Sequence, residues 1–287
     1  MSILISGVAT GGVYALVALG LVLVYRSTGI INFAQSGIVM MGGYAYWLSE
    51  AHGLGTAEEL AVVVGVGVAL GTALWFLMHF VMARSSELVR VMATVAVWSL
   101  MEAVIGLEYG TTPFSVSGWL LGSKTIGMAG IRVPDSYFLI DGAAIALTIA
   151  IYGVLHVSNM GRAMRAVAED PEASNFTGIP VRAVLYASWV ASSVVAAVAG
   201  LLVVPVTGIF PGMGDGIFFA ASFAAIIGGL TSIPGALLGG VVVGVLEVYI
   251  NYFFGGALEQ VIVFAALLLV LSLRPRGLLG TRVARSA

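Results

Sequence analysis

Long apolar runs with almost no charge inside them constrain this chain more than any other feature it has. A helix needs about 20 mostly apolar residues to cross a bilayer. The sequence offers nine candidates: about Ile3 to Tyr25, Ile30 to Leu48, Leu60 to Ala83, Val89 to Leu107, Tyr137 to Val157, Ala183 to Val206, Gly216 to Leu230, Gly235 to Phe254 and Leu258 to Leu273. The second run, interrupted by Asn32, Gln35 and Ser36, and the short seventh are the weakest. Only 9% of the 287 residues are charged and mean hydropathy is +1.08, whereas soluble domains carry about 25% charged residues. The expected fold class is all-α, a polytopic transmembrane helical bundle of about nine segments. Its 38 glycines suit helices that approach closely in lipid. The N-terminus lacks the basic stretch and small-residue cleavage site of a secretory signal, so the first run is expected to be a retained helix.

Composition closes off several functions. A net charge of −2 gives no basis for nucleic-acid binding. With no cysteine there is no disulfide framework, thiolate metal site or cysteine nucleophile. His52, His79 and His156 are scattered without ligand spacing and read as loop or helix-end residues. No catalytic residue and no metal site is expected.

Lysine and arginine collect on the cytoplasmic side of membrane proteins. Placing Arg26, Arg84, Arg90, the polar stretch Gly161–Arg182 and the tail with Arg274, Arg276, Arg282 and Arg285 in the cytoplasm leaves only Lys124 and Arg132 outside. The N-terminus is then outside and the C-terminus inside, which an odd number of spans satisfies. The opposite loops hold Glu50, Glu58, Glu59, Glu108, Asp135, Asp215 and Glu259. The connection from Glu108 to Ser136 has no clear helical period, and it reads either as a docking lip or as a passive loop carrying one short amphipathic element.

A weak repeat runs through this plan. Thr28-Gly29-Ile30 opens the second run and Thr207-Gly208-Ile209 precedes the seventh, each after a strong helix and before an interrupted one. With the orientation above, runs one to four and six to nine become inverted copies, an arrangement that places a transport pathway between two halves with broken helices. The expected layout is one permease domain over 1–287: a first repeat 1–107, an external loop, central helix and cytoplasmic connection 108–182, a second repeat 183–273 and a tail 274–287.

Four stretches can carry chemistry. Asn32, Phe33, Gln35 and Ser36 enter the membrane within Gly29–Gly37. They read either as a broken helix beside a translocation path or as an interfacial helix start with Asn32 as its cap. Gly228, Gly229, Pro234 and Gly235 form a tight turn between two apolar runs, for which a structural helical hairpin is the favoured reading. Glu102 and Glu247 fall inside predicted spans, where a carboxylate costs at least about 2.5 kcal/mol at the helix centre. Both are therefore pathway candidates, although Glu102, nearer the outer end, also fits an interfacial carboxylate.

The fourth stretch is the polar island. Arg162 and Arg165 share a helical face with Ala168 and Glu169. Asp170 is placed to cap a helix opening at Pro171, with Glu172 in its first turn and Ala173, Phe176 and Ile179 as an apolar face. Gly178 fits as the stop. Such a helix can anchor at a membrane surface or insert into another protein.

The island GRAMRAVAEDPEASNFTGI resembles the cytoplasmic coupling segment of permeases from branched-chain amino acid ABC importers, whose form is GRAxRAxAEDxxxAxxxGI. The resemblance extends to GIINFAQSG with MMGGY, to GGLTSIPGALLGG and to RPRGLLG, in the family's order. It implies a pore subunit, not an enzyme. Expected partners are a second homologous permease, two cytoplasmic ATPase subunits and an external solute-binding protein, in a bacterial or archaeal inner membrane.

Gly161, Arg162, Arg165, Ala168, Glu169, Asp170, Ala173 and Gly178 match the coupling segment residue by residue, so this segment is expected to seat in an ATPase groove. ATP and magnesium would then belong to the ATPase subunits and no cofactor to this chain, which carries no GxxxxGK[ST] loop. Many members have His-Gly-Glu where this chain has Gln35-Ser36-Gly37, and Lys-Ala-Phe where it has Ala220-Ala221-Ser222. The implied solute is a branched-chain or other hydrophobic amino acid. The alternatives are urea, an amide or another small organic solute, or a stand-alone secondary transporter or channel.

Overall fold

The computed structural model describes residues 2–114, 125–128, 131–274 and 277–279. Lys124, Arg276, Arg282 and Arg285, and most of the tail 274–287, lie outside the described residues. In chain order the elements are α1 (Ser2–Thr28), α2 (Ala34–Ala51), α3 (Thr56–Phe76, running into a π-helical turn Leu77–Val81), α4 (Glu87–Tyr109), β1 (Thr125–Met128), β2 (Ile131–Pro134), α5 (Asp135–Val157), α6 (Asn159–Glu169), α7 (Pro171–Phe176), α8 (Val181–Thr207), α9 (Met213–Gly228), α10 (Ile233–Phe254) and α11 (Gly256–Leu273).

Each of the nine apolar runs is a helix, but nine independent crossings do not follow. Among the described residues, five helices are long and apolar enough to cross a membrane by themselves: α1, α3 with its π turn, α4, α8 and α10. A sixth results if α5 and α6, bent by 75° at their junction, count as one broken span. The two weakest runs fall short for different reasons. α2 carries Gln35 and Ser36 in its first turn and Ser49 and Glu50 in its last, and α9 has only 16 residues.

The chain between Glu108 and Ser136, expected to be a surface connection without a helical period, holds an antiparallel hairpin in which β1 pairs with β2 from Thr125–Pro134 to Met128–Ile131. This four-residue pair is a small addition to a bundle that is otherwise helical. The β-branched Thr125, Ile126, Ile131 and Val133 favour extended backbone in so short a stretch.

α1 lies at the centre and is almost wholly enclosed, whereas α4 is mostly exposed. α1 packs most heavily on α10, and α8 on α3. Both seams are too close for side chains. A Cβ added to Gly244 would meet Gly11 N at 2.3 Å, and one added to Gly67 would meet Val194 Cα at 2.7 Å. Such contacts let two helical backbones touch where lipid supplies no hydrophobic driving force.

α1 and α8 also end alike. Each has 27 residues and closes on a threonine. Each is followed by a left-handed glycine, Gly29 at φ 75° and Gly208 at φ 71°. The chain then unwinds before a shorter helix, α2 or α9.

Candidate functional site

Two junctions gather the polar side chains of this otherwise apolar molecule. The first lies where the broken helices α2 and α9 begin. Unwinding over Gly29–Phe33 frees main-chain groups, which must find partners when buried. The Phe33 N–H donates to Thr94 Oγ1 at 3.1 Å, and that hydroxyl donates to Val91 O at 2.7 Å. Ser192 Oγ, from α8, donates to Gln35 Oε1 at 3.0 Å, while Gln35 Nε2 donates to Ser192 O at 3.4 Å. Asn32 Nδ2 donates to Gln35 Oε1 at 3.4 Å. Asn32 and Gln35 are fully buried, and Asn32 Oδ1 meets no donor among the described residues.

Asn32 is therefore not the cap of α2. That position falls to Phe33, which makes no side-chain capping bond; its ring instead lies 5.3 Å from that of Phe218 on α9. α2 is a broken helix whose opening is held by side chains of α4 and α8.

α9 begins three residues earlier than its hydropathy suggests, which moves Asp215 from an expected loop into the helix's first turn. Ser36 Oγ donates to Asp215 Oδ1 at 2.6 Å. Glu102 of α4 is drawn to the same point: its Oε1 and Asp215 Oδ2 lie 3.0 and 3.2 Å from where a Cβ on Gly212 would sit. Glu102 and Asp215 interact side chain to side chain, which makes Glu102 one of a carboxyl pair tied to the start of α2 through Ser36. Glu247, half-buried on α10 one turn beyond Gly244, belongs to the helix that seams against α1.

The second junction packs against the same C-terminal end of α1, beside Val22, Leu23, Arg26 and Ser27. α6 leaves α5 at 75°, and the reason is local. Ser158 caps α6 by accepting from Gly161 N at 3.1 Å. Gly161 also lies so close to α5 that a Cβ would be 1.8 Å from Leu155 O. Arg165 Nη1 donates to that same carbonyl at 2.8 Å, satisfying one of the groups a helix end leaves open. Arg165 thus turns back onto α5, while Arg162 bonds Asn159 within α6 and is exposed with Glu169. Ala168 is half-buried, and the buried face of α6 is Gly161, Met164 and Val167.

Asp170 Oδ1 caps α7, accepting from Glu172 N and Ala173 N at 2.9 Å each, with Pro171 in the first turn. Gly178 at φ 83° ends it, and Ile179 N closes back onto Ser174 O at 3.0 Å. Of the apolar side of α7, Ile179 packs on the core, whereas Ala173 is exposed and Phe176 is 90% exposed.

The α9–α10 turn meets this segment, which its sequence alone does not reveal. Gly228 and Gly235 touch backbone to backbone, a Cβ on the first lying 2.0 Å from Gly235 O. Gly229 takes φ 104°, and Ser232 caps α10 with Pro234 in its first turn. The turn then forms one wall of a cleft of about 230 Å³ whose other walls carry Arg26 of α1, Tyr152 and His156 of α5, and Arg165 of α6. Leu279 closes one side, because the segment Gly277–Leu279 docks on α9. Leu278 N donates to Ile227 O at 2.7 Å, and Leu279 N to Gly228 O at 3.0 Å.

Sequence reading overlooked Thr94, Ser192, Asp215, Arg26 and His156. Only one carried a usable signal: Ser188 and Ser192, four apart within an apolar run, mark a polar stripe on α8.

A family model described as branched-chain amino acid transport system / permease component matches residues 3–271. The chain is 30% identical to the high-affinity branched-chain amino acid transport system permease protein LivH of Salmonella typhimurium, over 96% of this chain and 94% of that one. It is also 30% identical to the corresponding protein BraD of Pseudomonas aeruginosa, with the same coverage of both chains. Among solved structures, a chain of PsaBC from Streptococcus pneumoniae in complex with Fab superposes with a TM-score of 0.54 at 14% identity, covering 96% of this chain and 93% of that one. That likeness shows a shared fold.

Proposed function

Because the chain belongs to the permease component family of branched-chain amino acid transport systems, we propose that it forms one half of an ATP-driven import pathway for a branched-chain or similar hydrophobic amino acid. It works with a second permease, two ATPase subunits that bind ATP and magnesium, and an external binding protein that delivers the solute. It resides in the inner membrane of a bacterium or archaeon, with its N-terminus outside and α6–α7 and the C-terminus in the cytoplasm.

One observation carries this reading. α6–α7 is bound stiffly to α5 through Gly161, Arg165 and Leu155 O, yet it presents Phe176, Ala173, Arg162 and Glu169 uncovered. An element fixed to a membrane helix and bare on its far side can transmit a push. An ATPase groove that takes Phe176 and pairs with Arg162 or Glu169 would move α5, and with it the cleft that α1, α6 and the α9–α10 turn share.

The solute path is proposed to run beside the α2–α9 junction. Glu102, Ser36 and Asp215 border it there, while the buried Asn32 and Gln35 and the half-buried Phe33 shape it from behind. Glu247 has the weaker claim to that path. Residues 1–107 and 183–273 act as inverted halves that rock against each other, which the matching ends of α1 and α8 support.

The reading is tested by reconstituting the full transporter in liposomes with Phe176→Ser or Glu169→Ala. Each is expected to lower solute-stimulated ATP hydrolysis and uptake together, the Phe176 change by about tenfold or more, as for a buried aromatic anchor at an interface. Normal coupling in both variants, or solute uptake by this chain alone without ATPase subunits, would overturn it.

A further inference from the structure

The cleft between α1, α5, α6 and the α9–α10 turn contains an unusual arrangement of charge. Arg26 and Arg165 both line it, and they stand within electrostatic reach of each other. Two guanidinium groups converging in one half-enclosed space repel one another. Glu169 is the carboxylate within reach of Arg26 and offsets part of that repulsion, but it is exposed on α6 and is not part of the cleft lining. Arg165 spends one N–H on Leu155 O.

Three further features point the same way. α10, a helix of 22 residues, opens into the cleft through Ser232, Ile233 and Pro234, so the positive end of its dipole faces the two arginines. His156 adds a third nitrogen base, with its ring stacked on that of Tyr152 at 5.5 Å. The opening of the cleft also continues along an apolar stripe. Ile145, Ile149 and Tyr152 are 47%, 61% and 40% exposed, and with His156 they follow one another at intervals of four, three and four residues along one face of α5. The stripe runs from the membrane-buried part of α5 to the cationic cleft at its end.

We propose that this cleft is a binding site for the phosphate group of an anionic phospholipid, with Arg26 and Arg165 on the phosphate, the α10 N-terminus beside it and an acyl chain laid along Ile145, Ile149 and Tyr152. Planar guanidinium forks match phosphate oxygens, and basic pockets between membrane helices are a known setting for anionic head groups. A free phosphate would satisfy the arginines equally but would leave the stripe without purpose, so the geometry favours the lipid. The bound head group would draw Arg26 and Arg165 together and fasten α1, α6 and α10 at the point where α6 turns away. This goes beyond the transport reading and stands on the geometry of this chain alone.

The test uses the purified full chain in detergent, titrated separately with phosphatidylglycerol, with phosphatidylcholine of the same acyl chains and with inorganic phosphate. The midpoint of thermal unfolding is followed as the readout of binding. Phosphatidylglycerol should raise the midpoint saturably and phosphatidylcholine should not. Arg26→Gln should weaken the phosphatidylglycerol response by about five- to tenfold, while Arg182→Gln, an exposed cation outside the cleft, should leave it intact. Should Arg26→Gln fail to fold, Arg26→Lys keeps the charge, loses the fork and should weaken the response by about two- to threefold.

Ile149→Asn, at an exposed position, should weaken the response to phosphatidylglycerol but not any response to inorganic phosphate. If inorganic phosphate matches phosphatidylglycerol and Ile149→Asn changes nothing, the lipid assignment is overturned in favour of a free phosphate. If neither ligand acts, or if Arg26→Gln responds as the unaltered chain does, the site itself is refuted and the arginine pair serves another purpose, such as a carboxylate of a protein partner.

Discussion

The break after α1 and the break after α8 share one architecture and hold it by different means. Both open on a left-handed glycine at the end of a 27-residue helix and lead into a shorter one. In the first, side chains answer the freed main-chain groups and stabilise the unwound segment: Thr94, Gln35 and Ser192 are all fully buried. In the second, main chain answers main chain. Ile209 and Phe114 exchange two backbone bonds of 2.9 and 3.0 Å, and Gly212 at φ 83° starts α9 with no side-chain cap. A satisfied polar network in a dry interior is expensive to disturb, whereas a two-bond bridge to the edge of a loop is not. The second break is thus the more movable of the two, although Ser36 and Asp215 link them.

The most severe way to challenge this comparison is to prise the two breaks apart. A Cβ on Gly214 would sit 2.2 Å from Ser36 O, which is backbone and has nowhere to go. Gly214→Val is expected to cost about 4 kcal/mol or more and to abolish monodisperse protein in size-exclusion chromatography. Gln35→Ala should cost about 2–3 kcal/mol, because it strands the buried Ser192 hydroxyl and Asn32 amide; thermal unfolding in detergent measures it. Ser36→Ala removes only the bond to Asp215 and should cost about 1.5 kcal/mol in the same assay. If its cost equals that of Gln35→Ala, the two breaks are not held differently. The gentlest test needs no substitution. In hydrogen exchange the Ile209 amide should open about tenfold more readily than that of Phe33, and equal protection would remove the distinction.

What the sequence made legible was local. The Asp170 cap with Pro171 behind it, and the stop at Gly178, depend on neighbours in the chain, and the structure realises them. Hydropathy located every apolar helix because burial in lipid acts on each segment separately. Asp215, Glu102 and Ser36 could not be joined in this way. Ser36 and Asp215 are 179 residues apart, and no period along a helix encodes a contact between two helix starts. The same limit hid Thr94 and Ser192, whose partners lie 61 and 157 residues away. Arg26 looked like a flanking charge until folding set it beside Arg165, and the α9–α10 turn looked like a simple hairpin until it became a wall of the cleft. β1 and β2 escaped notice because four-residue strands are too short to show a period.

The docking of Gly277–Leu279 onto α9 sets an order of events during synthesis. Ile227 and Gly228 end α9 with carbonyls that receive their donors from Leu278 and Leu279, which leave the ribosome about 50 residues later. At about 5–20 residues per second, the end of α9 waits for roughly 3–10 seconds while α10 and α11 are made. During that interval it depends on water or on the membrane surface for partners. The second half of the molecule is therefore completed from its far end, and a fusion or truncation close to residue 279 would reach back into the centre of the bundle.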